Sequence, residues 1–189
     1  MRKKRVYIRR FILLALICVA LIVVGAVVFV NRYYPLQYTD IIYKYASEYD
    51  LKPDLICAVI NAESSFDKDA VSGAGASGLM QIMESTAYWL APKMKIEDFG
   101  YAEIFDPDVN IRFGCYYLNM LKKQYGDTDV ALCAYNAGSG NVDKWLANPE
   151  YSGDGKTLDY IPFKETRDYV KKVSETQKIY SFILFFKAH

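Results

Sequence analysis

The sequence opens with a basic cluster followed by a long apolar run. Residues 1–10 carry six Lys or Arg, and residues 11–30 contain no charged residue. A helix of that length measures about 30 Å, which matches the hydrocarbon thickness of a bilayer. Lys and Arg beside a membrane helix favour the cytoplasmic side. The sequence therefore predicts a basic cytoplasmic N-terminus, a single-pass anchor in the cell membrane over 11–30, and a chain that continues outside the cytoplasm.

A cleaved signal peptide is the alternative interpretation of this segment. The apolar region of a signal peptide is usually ~7–15 residues long and ends at a site of small residues. Here the apolar run is longer, and bulky residues occupy 28–32. The sequence favours an uncleaved anchor and leaves cleavage open.

Charge and composition narrow the function of the remaining chain. Residues 31–189 hold 17 Lys and Arg against 22 Asp and Glu, a net charge of −5. Nucleic-acid binding needs a basic face, so nucleic acid is not an expected partner. The sole histidine is His189 and no metal-ligand cluster stands out, so no metal and no cofactor are expected. Cys57, Cys115 and Cys133 fit buried thiols or one disulfide, and the sequence does not decide between them.

Helical spacing dominates the sequence after residue 38. Apolar residues recur at intervals of three and four, and no run alternates as a strand would. We expect a short tether at 31–38 and one all-α globular domain at 39–189, preceded by the membrane helix. Thr39 is predicted to cap a first helix, and Thr128 or Asp129 a fifth. The other predicted helices begin at Pro53, near Leu79, at Asp106–Pro107, near Val142 and near Glu165.

Glu63 is the residue that most directly indicates chemistry. It follows Val59 by four residues and Ile56 by seven, so its carboxyl group lies on the apolar face of a helix. Burial favours a protonated carboxyl group, which near pH 7 can donate a proton to a glycosidic oxygen. A buried glutamate satisfied by a hydroxyl or a backbone amide fits the same spacing. The segment 72–78, made only of Ser, Gly and Ala, would let a ligand approach the backbone closely.

Four local sequences follow one another between residues 62 and 170. They are Ala-Glu-Ser-Ser-Phe at 62–66, a segment at 70–81 that ends in Gly-Leu-Met-Gln, Ala-Tyr-Asn-Ala-Gly at 134–138, and Ile-Pro-Phe-Lys-Glu-Thr-Arg-Asp-Tyr-Val at 161–170. In this order the chain resembles the catalytic domain of the soluble lytic transglycosylases, a branch of the lysozyme-like superfamily. The resemblance implies a lysozyme-like fold and peptidoglycan glycan strands as the binding partner.

The resemblance also implies roles for individual residues. Glu63 matches the family's single catalytic acid/base, and Ser64 beside it is expected to be structural. Tyr169 is expected to reach the catalytic centre from the last helix. The positions that match the substrate-binding site are Ser72, Gln81, Met83, Tyr135, Asn136 and Tyr169.

The reaction implied by the resemblance needs one carboxyl group. Glu63 would protonate the β-1,4 oxygen between N-acetylmuramic acid and N-acetylglucosamine and then activate the muramic 6-hydroxyl as a base. Attack within the substrate has a large proximity advantage and closes a 1,6-anhydro ring. The expected function is a peptidoglycan lytic transglycosylase, a non-hydrolytic glycan lyase. A hydrolase resembling goose-type lysozyme and a non-catalytic peptidoglycan-binding module are the alternatives.

Overall fold

The chain forms two compact units, Met1–Pro35 and Leu36–His189. The computed structural model describes the backbone of residues 2–187 and the side chains from residue 13 onward, so the predicted basic cluster and His189 lie outside the described side chains. The first unit holds one helix, α1 (Arg2–Tyr33), which continues into the segment predicted as a tether. Within it, Leu13–Tyr33 is long and apolar enough to cross a membrane.

The second unit is helical, and its described residues form no strand. Two isolated bridges pair Val71 with Ser77 and Ser77 with Ile82. This confirms the all-α prediction with one apolar N-terminal helix. A 3₁₀ helix lies at Tyr101–Phe105, and the α-helices are α2 (Thr39–Glu48), α3 (Pro53–Ser64), α4 (Glu84–Leu90), α5 (Pro107–Tyr125), α6 (Thr128–Ala137), α7 (Ser139–Leu146) and α8 (Lys164–Lys187).

Local capping chemistry explains where several helices begin. The Asp106 carboxylate accepts hydrogen bonds from the backbone of Asp108 and Val109, and Pro107 occupies the first turn of α5, as predicted. The predicted caps of two other helices are wrong. The side chain that caps α6 belongs to Asp127, whose carboxylate accepts from Val130, and not to Thr128 or Asp129. Before α2, Tyr38 takes a left-handed conformation without a side-chain cap, and Thr39 is already helical.

The predicted start of a helix near Leu79 is also wrong. The α-helix begins at Glu84, and residues 78–81 form a turn. Gln81 has a φ of 48°, which helical backbone does not allow. The backbone N–H of Met80 donates to the side chain of Asn110 on α5, 2.7 Å away. A tertiary hydrogen bond therefore holds this turn where apolar spacing alone suggested a helix.

α3 forms the centre of the second unit. From Ile56 to Ile60 its five side chains are fully buried, and its principal packing partner is α8. Burial on every face means that the helix is fixed by its packing, because displacing it would expose several apolar side chains at once. Glu63, in the last turn of α3, is thereby attached to a helix that is buried along most of its length.

Asn110 joins the segment 77–82 to α5. Its side chain is buried, accepts the hydrogen bond from Met80 and donates to the backbone carbonyls of Ser77 and Ile104 at 3.0 and 2.8 Å. One amide thus satisfies three buried backbone groups, which would otherwise cost about 1–3 kcal/mol each. The segment is held against α5 through this single side chain.

Two glycines allow the same segment to approach α5 closely. A Cβ atom at Gly78 would overlap the amide of Asn110, and φ is +77° there. A Cβ atom at Gly114, one turn after Asn110, would overlap the side chain of Met80. Only glycine fits at either position without a shift of its neighbours.

Candidate active site

Glu63 lies at the point where α3 ends and the chain turns sharply. Ser65 and Phe66 both take left-handed conformations, with φ of 53° and 67°. Non-glycine residues rarely adopt this region, and two in succession indicate a turn imposed by the surrounding packing. The Ser64 hydroxyl donates to the carbonyls of Ile60 and Leu79 at 3.2 and 2.9 Å. Ser64 thus links the end of α3 to the segment 77–82, in the structural role expected of it.

Glu63 opens into a cleft of about 420 Å³. The small residues of 72–76 form one side of this cleft, and Glu165 from the first turn of α8 contributes to another. The predicted residues that line it together are Glu63, Ser72, Gln81, Met83, Tyr135 and Asn136.

A second cavity of about 230 Å³ adjoins the first. The two share Gln81, Met83, Tyr135 and Asn136 as lining residues, and the second extends to Thr86 and Tyr117. Together they form one continuous groove, and the Glu63 carboxyl group lines its inner part.

Burial raises the pKa of Glu63 from 4.5 to about 7. The Tyr169 hydroxyl and the Lys172 ammonium act in the opposite direction and lower it. Near neutral pH both protonation states of this carboxyl group are therefore populated. A general acid that must later act as a base works best with its pKa near the operating pH.

Tyr169 and Tyr135 approach Glu63 from two different helices. The Tyr169 hydroxyl is buried and influences the pKa of Glu63, but the contact falls short of full hydrogen-bond geometry, and this hydroxyl has no partner among the described side chains. The Tyr135 hydroxyl donates to the Met80 carbonyl at 2.8 Å. Burial, together with the negative charge of Glu63, raises the pKa of both phenols well above 10, so both remain protonated donors.

Ser72 and Gln81 hold the small-residue loop in shape as well as lining the cleft. The Ser72 hydroxyl accepts from the Ala76 backbone at 3.0 Å. The Gln81 amide nitrogen donates to the carbonyls of Ala70 and Gly78 at 3.1 and 2.9 Å. With both hydrogens of its NH₂ group bound, Gln81 has its side-chain oxygen left for a ligand.

Asn136 is oriented by a residue that the sequence did not single out. The Thr166 hydroxyl is buried and donates to the Asn136 side-chain oxygen at 2.8 Å. The amide NH₂ of Asn136 is then the group available to the cleft. An NH₂ group at this place can donate to a hydroxyl or acetamido oxygen of a sugar.

Sequence reasoning also missed Asn110, Lys172 and Glu165. Asn110 precedes Phe113 by three residues and Gly114 by four, so it lies on the buried stripe of α5 just as Glu63 lies on that of α3. A polar side chain on the buried face of a helix was thus a pattern from which Asn110 could have been predicted. Lys172 donates to the Ala62 carbonyl at 3.0 Å across 110 residues of chain, a contact that spacing does not reveal.

No group of three or more His, Cys, Asp or Glu side chains that could hold a metal ion occurs among the described residues. Cys57, Cys115 and Cys133 are buried free thiols. The polar side chains that line the cleft are one half-buried carboxyl group, one exposed carboxyl group, one serine hydroxyl, one phenol and two amides, and the Tyr169 phenol lies buried beside Glu63. This set can transfer protons and hydrogen-bond hydroxyl groups.

A family described as the transglycosylase SLT domain matches residues 40–157, which is more than half of the chain. The chain belongs to the transglycosylase SLT family. This confirms the resemblance drawn from the four local sequences. The match includes Glu63, the small-residue loop and Tyr135, whereas α8 with Tyr169 lies beyond it.

Individual SLT relatives agree with this membership. A soluble lytic murein transglycosylase of Salmonella typhimurium is 38% identical over 143 residues, which cover 74% of this chain and 22% of that protein. A membrane-bound lytic murein transglycosylase C of Edwardsiella ictaluri is 31% identical over 170 residues, which cover 76% of this chain and 46% of that protein. The chain thus spans less than half the length of either relative.

Solved structures share the fold of this SLT chain. The 70 kDa soluble lytic transglycosylase of Escherichia coli superposes with a TM-score of 0.72 at 31% identity, over 82% of this chain and 26% of that one. An inactive mutant of the Pseudomonas aeruginosa lytic transglycosylase Slt gives the same TM-score at 34% identity. The superposition includes 82% of this chain and 25% of that one. The lysozyme-like fold predicted from the sequence is therefore confirmed.

The raised pKa of Glu63 predicts a pH-dependent effect of Glu63→Gln on stability. Because the folded chain binds this proton more tightly than the unfolded chain, wild-type stability falls as pH rises from about 4.5 to about 7. Glutamine has no charged form, so its stability does not fall in this way. Relative to wild type, the free energy of unfolding of the variant should therefore increase by up to about 3 kcal/mol across this range. Denaturant unfolding of the full chain in detergent at both ends of the range measures the difference. An exposed substitution, Glu97→Gln, is the control, and an equal gain there would contradict the prediction.

Proposed function

We propose that this chain is a lytic transglycosylase that cleaves the β-1,4 bond between N-acetylmuramic acid and N-acetylglucosamine in peptidoglycan and leaves 1,6-anhydromuramic ends. The observation that carries the proposal is a carboxyl group with a pKa raised to about 7, set in a cleft that adjoins a second cavity lined by the same amide and phenol side chains. Membership of the SLT family and the similarity to lytic murein transglycosylases support the same reaction.

In the first step of the proposed mechanism, Glu63 is the general acid. Its protonated carboxyl group gives a proton to the bridging oxygen as the bond to the muramic C1 breaks. The pKa near 7 supplies this proton at neutral pH. Tyr169, whose hydroxyl points at the same carboxyl group and has no full hydrogen bond of its own, stabilises the carboxylate that remains.

In the second step, the Glu63 carboxylate is the general base. It takes the proton of the muramic 6-hydroxyl, whose oxygen attacks C1 and closes the anhydro ring, so the carboxyl group returns to its protonated state. Tyr169 and Lys172 keep the pKa of Glu63 from rising further, so the carboxylate form stays populated at neutral pH. Gln81, Asn136 and Tyr135 are proposed to hold the sugars on either side.

The presence of Glu165 in the cleft favours a second candidate function, hydrolysis of the same bond. It adds a carboxyl group to the same cleft, and glycoside hydrolases generally use two. In that mechanism Glu165 would activate water, and the products would carry reducing ends. Glu165 is exposed, and no pattern in the sequence pairs it with Glu63. The transglycosylase mechanism is preferred because it needs only the carboxyl group whose pKa is raised.

Glu63→Gln tests the proposed reaction. Glutamine keeps the size and hydrogen bonding of the side chain but cannot cycle a proton, so activity should fall by about 100- to 10,000-fold. Purified peptidoglycan is digested and its fragments are analysed by mass. Wild-type fragments should be lighter by one water than those released by a lysozyme.

Glu165→Gln is the matched control and should retain anhydro products. Reducing ends in the wild-type digest, together with loss of activity in Glu165→Gln, would identify a hydrolase. Full activity of Glu63→Gln would contradict both mechanisms.

Tyr169→Phe and Tyr45→Phe separate a catalytic hydroxyl from a structural one. The Tyr169 hydroxyl lacks a full hydrogen bond, so its loss should leave the Tm nearly unchanged while activity drops by roughly 10- to 100-fold. The Tyr45 hydroxyl donates to Asp108 at 2.6 Å, away from the cleft, so its loss should lower the Tm and spare activity. Thermal melts and turnover of both variants are compared. Wild-type turnover by Tyr169→Phe would assign that residue to packing.

For localisation we propose a membrane anchor at 11–30, a tether at 31–38 and a catalytic domain at 39–189 on the extracytoplasmic side of the cell membrane. Leu21, Ile22 and Phe29 are among the large apolar side chains exposed along α1, which water would not stabilise. A signal sequence passes the same test of length and composition. Relatives named as membrane-bound lytic murein transglycosylases support retention of the segment.

Protease added to intact spheroplasts tests this orientation. The domain should be digested and a short N-terminal fragment should stay protected, because only the segment before and within the bilayer is shielded. Protease added after permeabilisation is the control for intrinsic resistance. Full protection of the domain in intact spheroplasts would contradict the proposed orientation and place the domain in the cytoplasm. A soluble mature protein that begins near residue 31 would instead identify a cleaved signal peptide.

A further inference from the structure

The groove beside Glu63 continues along α4. Met83, just before α4, lines both cavities, and Thr86, one turn later, lines the outer one. Trp89 lies three residues beyond Thr86 in the same helix, about 9 Å from Met83 at 1.5 Å per residue. A glycan strand longer than the cleft extends beyond its walls, and this part of α4 lies near the outer cavity.

Trp89 is joined to the groove through aromatic contacts. Its indole ring meets Tyr117 edge-on with 6.4 Å between centroids, and Tyr117 in turn packs on Tyr135 at 5.2 Å. Tyr117 and Tyr135 both line the outer cavity. The three rings therefore form a continuous series from the Glu63 cleft to the surface.

Trp89 is exposed, and its exposure is unusual for this ring. Of its surface 48% is accessible, whereas Trp145, the other tryptophan, is 6% accessible. The Lys93 ammonium lies over the indole, 4.7 Å from the ring centroid. An accessible aromatic ring beside a flexible cation offers a sugar both an apolar platform and a hydrogen-bond donor.

We propose that Trp89 and Lys93 form a distal subsite that binds the glycan strand beyond the residues cleaved at Glu63. The apolar face of a pyranose ring packs on the indole, and the Lys93 ammonium moves to donate to a sugar hydroxyl or acetamido oxygen. The subsite rests on the proposed function, since it takes a further part of the same polymer. It contributes to binding and not to bond cleavage, because it does not touch the reacting atoms.

Tryptophan fluorescence tests the subsite without cleavage. The full-length Glu63→Gln variant in detergent is titrated with peptide-free glycan strands, and binding is measured in parallel by calorimetry. Emission should change on binding, because Trp89 passes from water into contact with sugar. Adding Trp89→Phe should abolish the change, and adding Trp145→Phe should preserve it. Glycan binding without a change in emission would overturn the proposal, as would absence of binding.

Kinetics with long strands provide the second measurement. Trp89→Ala should raise KM by roughly two- to tenfold with kcat nearly unchanged. The contact that it removes contributes the same binding free energy in the enzyme–substrate complex and in the transition state. Tyr88→Ala is the matched control. Tyr88 is 50% exposed on the same helix, but its ring packs on Phe99. An equal KM in Trp89→Ala and wild type would overturn the subsite and leave the proposed function intact. An inactive wild type would count against the proposed function, and fluorescence would still decide the subsite.

Discussion

The hydrogen bonds of Asn110 are the constraint on which the candidate active site depends. One buried amide on α5 binds Met80, Ser77 and Ile104, so it fixes the segment 77–82 and the 3₁₀ helix at once. That segment carries the Met80 carbonyl bound by Tyr135 and the Leu79 carbonyl bound by Ser64. The floor of the cleft and the end of the helix that bears Glu63 therefore share one anchor.

Glu63 illustrates how the fold sets the chemistry of a single carboxyl group. α3 is buried along most of its length, and this burial raises the pKa to about 7. Lys172 limits the rise and also donates to the Ala62 carbonyl, one of the last carbonyls of α3 that the helix itself leaves unpaired. A cation at a helix C-terminus is favourable with the helix dipole. One side chain thus stabilises the helix end and adjusts the acid beside it.

The cleft combines rigid and adjustable groups. Gln81 and Asn136 have one side of each amide occupied by the protein, which leaves a defined donor or acceptor for the ligand. Tyr169 differs, because its buried hydroxyl is satisfied only in part. Buried polar groups normally find full partners, and exceptions concentrate at functional sites. The incomplete contact between Tyr169 and Glu63 is consistent with a hydrogen bond that strengthens when the carboxyl group loses its proton.

The sequence by itself determined most of the elements and singled out the principal candidate residue. Apolar spacing and capping residues predicted most of the helices, because helix formation follows local spacing. The spacing of Glu63 from Ile56 and Val59 indicated a carboxyl group on an apolar face, and four motifs in order indicated the family. The substrate-binding residues were inferred from that family, and no periodicity would have selected them.

Only the tertiary structure decided how these parts meet. A turn at 78–81 stands where the start of a helix was predicted, because Asn110, 30 residues from Met80 in the chain, binds the Met80 backbone. Tyr135 reaches Met80 across 55 residues, and Lys172 reaches Ala62 across 110. Such contacts depend on the packing of whole helices, which local spacing does not encode. The raised pKa of Glu63 has the same origin, because it reflects how much protein surrounds the carboxyl group once α3, α6 and α8 have packed together.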